Sequence, residues 1–216
     1  MKNVITLIER TKSAILVICF YAAVFTATAG TPVDVAKVIG NEKVVAQAET
    51  KYHVWVATDN GVYQVNKGNG KFIHLTTNNS VLPSNHTKGI CTTSDDNVFI
   101  ATDKGLFRFD GVSHLQLTTE NSYLPTNSLT GIVCDERGRI FIGTQNHGLV
   151  MMENYKCETF NKHNSELSTN TVTKVYMDEN GLIIAALANG DFTAMGSSTM
   201  LLIKAEQPAK DVTATN

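Results

Sequence analysis

Six histidines, His53, His74, His86, His114, His147 and His163, and 20 acidic residues are the groups in this chain that could hold a metal or move a proton. No two histidines stand in the His-x-x-x-His or His-Glu-x-x-His spacing that sets two ring nitrogens on one side of a helix, so no zinc site is expected. The acidic turns at Asp95, Asp96 and Asn97, at Asp135 and Glu136, and at Asp178, Glu179 and Asn180 supply two or three oxygens each. Calcium asks for roughly six to eight, so these turns read as a solvated rim and no metal is expected. There is no Gly-x-Ser-x-Gly elbow, no glycine-rich phosphate cradle and no pair of carboxylates set apart from its surroundings. Nucleophilic and phosphoryl-transfer chemistry therefore lack their residues, and no cofactor is implied. A metal-assisted lyase or hydrolase, with ligands gathered from distant parts of the chain, stays as the lesser alternative.

Asparagine and tyrosine point to binding instead. One phrase recurs three times, Asn79-Ser-Val-Leu-Pro-Ser-Asn85, Asn121-Ser-Tyr-Leu-Pro-Thr-Asn127 and Asn164-Ser-Glu-Leu-Ser-Thr-Asn170, at spacings of 42 and 43 residues. Its closing residues Asn85, Asn127 and Asn170 carry amides that both donate and accept, as sugar hydroxyls require. The same amide also fixes turns by bonding nearby backbone, and strict repetition favours that structural role. Positions that break the repeat are better places to seek a ligand. Tyr123 stands where the other copies have Val81 and Glu166, His86 follows the first closing asparagine, and His147 sits in a turn one residue longer than its counterparts.

A second segment recurs between these phrases: Val54-Trp-Val-Ala-Thr58, Val98-Phe-Ile-Ala-Thr102, Ile140-Phe-Ile-Gly-Thr144 and, more loosely, Leu182-Ile-Ile-Ala-Ala186. Each runs into a turn closed by a glycine, Gly61, Gly105, Gly148 and Gly190, where a tight backbone geometry is needed. The second copy shows four strand-like runs most clearly, over residues 89–93, 98–102, 106–109 and 114–118, separated by polar turns. No segment carries a sustained helical period. The second run of each unit is apolar at nearly every position, which requires cover on both faces. Four-stranded sheets repeating about every 40 to 45 residues and stacked around an axis supply that cover, as in a β-propeller. The sequence thus predicts an all-β fold of about four four-stranded blades over residues 43–206, with Trp55, Phe99, Phe141 and Ile183 at one equivalent position and packed between blades.

The linker N-S-x-L-P-[ST]-N followed by [VI]-[WF]-[VI]-[AG]-T-x-x-G resembles the two-component regulator propeller repeat over residues 43–205. That resemblance implies an extracytoplasmic, non-catalytic propeller that binds a partner protein or an oligosaccharide, as the sensor portions of hybrid two-component receptors do. A structural scaffold of the cell surface is the alternative. The chain departs from the pattern in having one tryptophan, Trp55, and in a fourth unit that lacks both the threonine and the linker. It carries no kinase segment.

Residues 1–29 have the form of a secretory signal: Lys2, Arg10 and Lys12, an apolar stretch from Ala14 to Phe25, then Ala27 and Ala29 before Gly30. That apolar stretch is shorter than the roughly 20 residues a spanning helix needs. Cleavage is therefore expected, leaving a lead-in over 30–42, the repeats, and a polar tail over 207–216. Without the leader the chain keeps 15 of its 18 basic and 19 of its 20 acidic residues, a formal charge of −4. Only Arg108, Arg137 and Arg139 remain as arginines, in no basic run, so nucleic-acid binding is excluded. Cys91, Cys134 and Cys157 are odd in number and widely spaced, which argues against a disulfide framework. Cys91 and Cys134 read as small buried apolar residues in strands, and Cys157 as an exposed thiol in a loop. A single-chain ring of four blades is the expected closure, with two chains completing an eight-bladed ring as the alternative, so the protein is a monomer or a homodimer.

Overall fold

The computed structural model describes residues 34–195, and residues 200–203 as backbone. The expected leader and polar tail lie outside the described residues. The first sheet contains β1 (Val44–Glu49), β2 (His53–Thr58), β3 (Gly61–Asn66) and β4 (Phe72–Leu75). The second contains β5 (Thr87–Thr92), β6 (Val98–Thr102), β7 (Gly105–Phe109) and β8 (His114–Leu117). The third contains β9 (Leu129–Cys134), β10 (Ile140–Thr144), β11 (Leu149–Glu153) and β12 (Lys156–Phe160). The fourth contains β13 (Val172–Met177), β14 (Ile183–Leu187), β15 (Phe192–Met195) and β16 (Met200–Ile203). Each is an antiparallel meander in chain order.

Successive side chains on a strand face opposite ways, and the second strand of each sheet uses both. Trp55 and Ala57 pack toward the second sheet, against Ile90, Val98, Ile100 and Phe107. Phe99 and Ala101 pack toward the third, against Ile132 and Ile140, and Phe141 packs toward the fourth, against Val175 and Ile183. Trp55 and Phe141 are fully buried, and Phe99 nearly so. The sheets approach closely where their first strands meet. A Cβ on Gly131 would stand 3.1 Å from the backbone nitrogen of Val175, so only glycine fits there without displacement.

The pairing shifts the fourth unit by one residue from the expected alignment. Ile183 pairs with Met195 as Ile140 pairs with Met152, and the turn threonine's place is taken by Leu187. Ile184, not Ile183, therefore occupies the position of Phe141. The looseness of Leu182-Ile-Ile-Ala-Ala186 allowed either register, and the turn at Asn189 and Gly190 decides it.

The sheets do not close into a ring, contrary to the expectation of a four-bladed circle. Among the described residues, contacts link the first sheet to the second, the second to the third and the third to the fourth, without comparable packing between the fourth and the first. A short helix, α1 (Val35–Ile39), lies in the lead-in, too brief for a sustained helical period to show in the sequence. Its Asp34 caps the N-terminus by accepting from the Lys37 N–H at 3.2 Å. Val35 and Ile39, with Val38, cover Val54, Val56, Tyr63 and Val65 on the face of the first sheet that points away from the second. That face is the one a preceding blade would need. A blade of a second chain seated on that face would have to displace α1. Glu42 holds the lead-in down: its carboxylate accepts from Thr58 Oγ1 at 2.9 Å, Asn60 Nδ2 at 3.1 Å and Tyr63 Oη at 3.0 Å. Partial burial opposes ionisation of Glu42, but these hydrogen bonds outweigh it and hold the carboxyl below its ordinary range.

The cysteine expectations are corrected. Cys91 and Cys134 form a disulfide with Cα atoms 5.6 Å apart, joining β5 of the second sheet to β9 of the third. Cys157 lies in β12 rather than a loop, partly buried against the core between these sheets, and burial pushes its thiol up to about 11. An odd count hid a pair because the third thiol is buried elsewhere in the same layer. The bridge closes a loop spanning 43 residues. In the chain-entropy model such a closure stabilises by about 4 kcal/mol. Denaturant unfolding of the Cys91→Ala, Cys134→Ala double variant is expected to show a loss of that order, with the fold retained. An unchanged midpoint would show that the bridge does not constrain the chain.

Candidate functional site

The repeated phrase closes on itself. The Oδ1 of Asn85, Asn127 and Asn170 accepts the backbone N–H of Thr77 at 2.8 Å, Thr119 at 2.9 Å and Lys162 at 2.9 Å. The opening residues Asn79, Asn121 and Asn164 each accept one backbone N–H, from Thr76, Thr118 and Asn161, and donate to a strand carbonyl. Leu82, Leu124 and Leu167 anchor each phrase in the core at 3 to 4% exposure. The variable residue of each phrase is exposed, and Tyr123 there is 73% exposed.

The linker carbonyls in turn hold the glycine turns. Gly61 N–H donates to Asn85 O at 2.9 Å and Gly148 N–H to Asn170 O at 2.8 Å, so linkers and second-to-third-strand turns share one face. The buried threonines Thr102 and Thr144 donate to the carbonyls of Gly105 and Gly148, and the Thr58 hydroxyl, shared with Glu42, lies 3.0 Å from the carbonyl of Gly61. Gly61, Gly105, Gly148 and Gly190 all have positive φ. At Gly148, with φ 84°, a Cβ would lie 2.0 Å from Phe160 O. No other residue fits there.

The sequence-derived candidates occupy this face but are not brought together. Asn85 and exposed His86 sit at the first junction, Tyr123 and Asn127 at the second, and Asn170 at the third, beside the turn of half-buried His147. His147 Nδ1 lies 2.7 Å from Asn146 Oδ1.

A concave site lies on the opposite face, between the second and third sheets. A cleft of about 400 Å³ has a floor of Phe99, Ile140 and Met152 and a polar rim of Thr93, Asn97, Arg108, Arg137, Asn154 and Tyr155, among others. The Cys91–Cys134 bridge belongs to the same buried layer as the floor, so the two walls are tied together covalently. Arg108 is held in place: Nη2 donates to Asn97 Oδ1 at 2.7 Å, Nη1 to Asp110 Oδ2 at 3.1 Å, and the guanidinium lies 5.5 Å from the centre of the Tyr155 ring. Its Nε is buried without an acceptor. Asp95 accepts from Thr93 Oγ1 and Asn97 Nδ2, and those two bonds, with Arg108 adding to them, hold its carboxyl below the usual range. Arg139 pairs with Asp135 at 2.7 Å and stacks on Phe141.

Whereas the linkers mark the other face, no repeated motif of the sequence marks this cleft. Its signal lay in repeat-breaking arginines. Arg108 pairs across from Phe99, and the matching positions hold Gln64, Met151 and Ala194. Arg137 precedes Gly138, whose positive φ matches Asp96 and Gly181, so its counterparts are Asp95 and Asn180.

No family model matches the chain, and none of the curated proteins does. Solved structures share its fold. The extracellular domain of a hybrid two-component system from B. thetaiotaomicron aligns with a TM-score of 0.56 at 21% identity, covering 80% of this chain and 23% of that one. A second such domain from the same organism gives 0.52 at 18% identity, covering 76% and 28%. Virginiamycin B lyase from Staphylococcus aureus gives 0.59 at 13% identity, covering 77% and 57%. The fold is that of a β-propeller. The chain spans about a quarter of the length of the sensor domains it matches. At these identities the likeness carries the architecture alone.

The hydrogen bonds above assign Asn127 to the linker. Asn127→Ala is expected to cost about 1 kcal/mol by denaturant unfolding, whereas Tyr123→Ala, on an exposed side chain, changes stability by less than about 0.5 kcal/mol. Equal effects from the two would contradict the assignment.

Proposed function

We infer that this chain is an extracytoplasmic, non-catalytic propeller that binds an oligosaccharide or a partner protein. The observation that carries the reading is the division of polar residues between the two faces. Repeated asparagines, serines and threonines are committed to holding linkers and turns, while the repeat-breaking arginines and Tyr155 gather around a cleft with a preset guanidinium. Preset polar groups over an apolar floor are features of a binding site. The disulfide favours an oxidising compartment, in keeping with the leader read over residues 1–29. The extracellular neighbours lend the same direction by analogy of fold.

A second reading, a metal-assisted lyase or hydrolase, is kept because a lyase shares the fold. Thermal unfolding of the protein against a panel of plant, microbial and host oligosaccharides, with and without divalent cations, separates the readings. A ligand at about 100 times its dissociation constant adds about 2.7 kcal/mol of stability. The binding reading expects such a shift with the saccharide recovered intact, or a partner captured by crosslinking at the cell surface. Cleaved or eliminated saccharide would establish the second reading. No shift and no partner would leave a scaffold and sink the first.

A further inference from the structure

Within the binding reading just given, on which this inference rests, we propose that the cleft between the second and third sheets takes a saccharide residue bearing a carboxylate. Arg137 receives the carboxylate, and the Arg108–Tyr155 pair forms the platform under the sugar ring.

Three observations converge. First, the cationic groups at this cleft differ in commitment. Arg108 is tied to Asp110 and Asn97, whereas Arg137, exposed on the third sheet's first turn, contributes only its backbone N–H to Asp135 Oδ1 and its guanidinium has no partner among the described residues. A free planar guanidinium beside an otherwise saturated site is suited to grip a carboxylate through two parallel N–H donors. Second, Arg108 Nε is a desolvated donor that lacks an acceptor, and an unpaired buried polar group is costly unless something fills its bond. A shift of the Arg108 side chain as the ligand enters would open that donor to a ring or hydroxyl oxygen. Third, Tyr155 has φ 63° and follows Asn154 at φ 49°. Asn-Gly is the usual choice for a two-residue turn of this kind, and a bulky aromatic there is strained. The strained residue puts a 43% exposed ring beside Arg108 at the mouth of the cleft. Strain of this kind is characteristic of ligand sites.

The walls also differ in charge. Asp95, on the wall opposite Arg137, keeps its carboxylate occupied with Thr93 and Asn97 and repels a second anion. The ligand's acid group is thereby directed to the Arg137 side, while Asn154 on the rim is placed to pair with a hydroxyl. A neutral sugar leaves Arg137 unused. Either a free oligosaccharide or the end of a surface polysaccharide presents this chemistry.

The test is calorimetric titration of the whole protein with hexuronic-acid di- to tetrasaccharides, their carboxyl-reduced counterparts, the corresponding intact polysaccharide, and a short peptide with a free C-terminal carboxylate. The acidic saccharides are expected to bind at least 10-fold more tightly than the reduced ones. Arg137→Gln removes that preference while leaving the reduced saccharides unchanged. Tyr155→Gly relieves the turn, keeps or raises thermal stability, and weakens both saccharides at least 5-fold. Binding of the short saccharides identifies a free ligand, and binding of the polysaccharide alone identifies a chain end; both support the cleft. Equal affinity for acidic and reduced saccharides, an unaltered acid affinity in Arg137→Gln, or binding of the peptide alone would overturn it. A saccharide bound in a manner indifferent to both variants sinks this inference and leaves the binding reading standing, whereas failure of the broader reading shows as no ligand and no partner of any kind.

Discussion

Every sheet in this protein has a central strand that cannot be left wet on either side. Val54, Trp55, Val56, Ala57 and Thr58 are all buried, as are the five residues of β6 and of β10. One sheet covers only one face of its neighbour's central strand, so the stack must continue or be capped. At about 25 cal/mol per Å² of apolar surface, exposing one such face would outweigh much of the roughly 5–15 kcal/mol that a domain has in hand. The chain meets this demand at its first sheet with α1, whose Val35 and Ile39 occupy the place of a preceding blade. The open arc and its helical cap are thus two consequences of one constraint.

The polar residues follow a second rule. A linker passing over the edge of stacked sheets carries backbone groups that cannot all pair in ladders, and each must find a partner. Asn79, Asn85 and their repeats meet that need within a few residues, which is why the phrase is so closely copied. Residues so engaged have little left for a ligand. Arg108, Arg137 and Tyr155 stand where the repeat makes no structural demand, and these three gather at the face the linkers leave alone.

Much of the fold was legible because the repeat is printed in the sequence. The apolar runs at Val98–Thr102 and His114–Leu117 appear as strands at nearly the expected bounds. What escaped were relations between units. Cys91 lies opposite Phe99 while Cys134 lies opposite Ile140, so the bridged residues are not at equivalent repeat positions, and each alone looked like a core residue. The register of β14 was ambiguous because isoleucine and alanine fill either face of a strand. Ring closure depends on blade-to-blade angle, which no local pattern encodes. The helix is a single turn, too short for a periodicity to show. The cleft is assembled from side chains 29 residues apart, Arg108 and Arg137, and becomes visible only when two sheets are set side by side.

Hydrogen exchange followed amide by amide tests the central claim, that the second strands are doubly covered and carry the stability of the arc. The account predicts that amides of β2, β6 and β10 exchange slowest, through global unfolding, while those of the outer strands β4, β8 and β12 exchange faster through local opening. Outer strands protected as strongly as the second strands, or second strands that open locally, would contradict it.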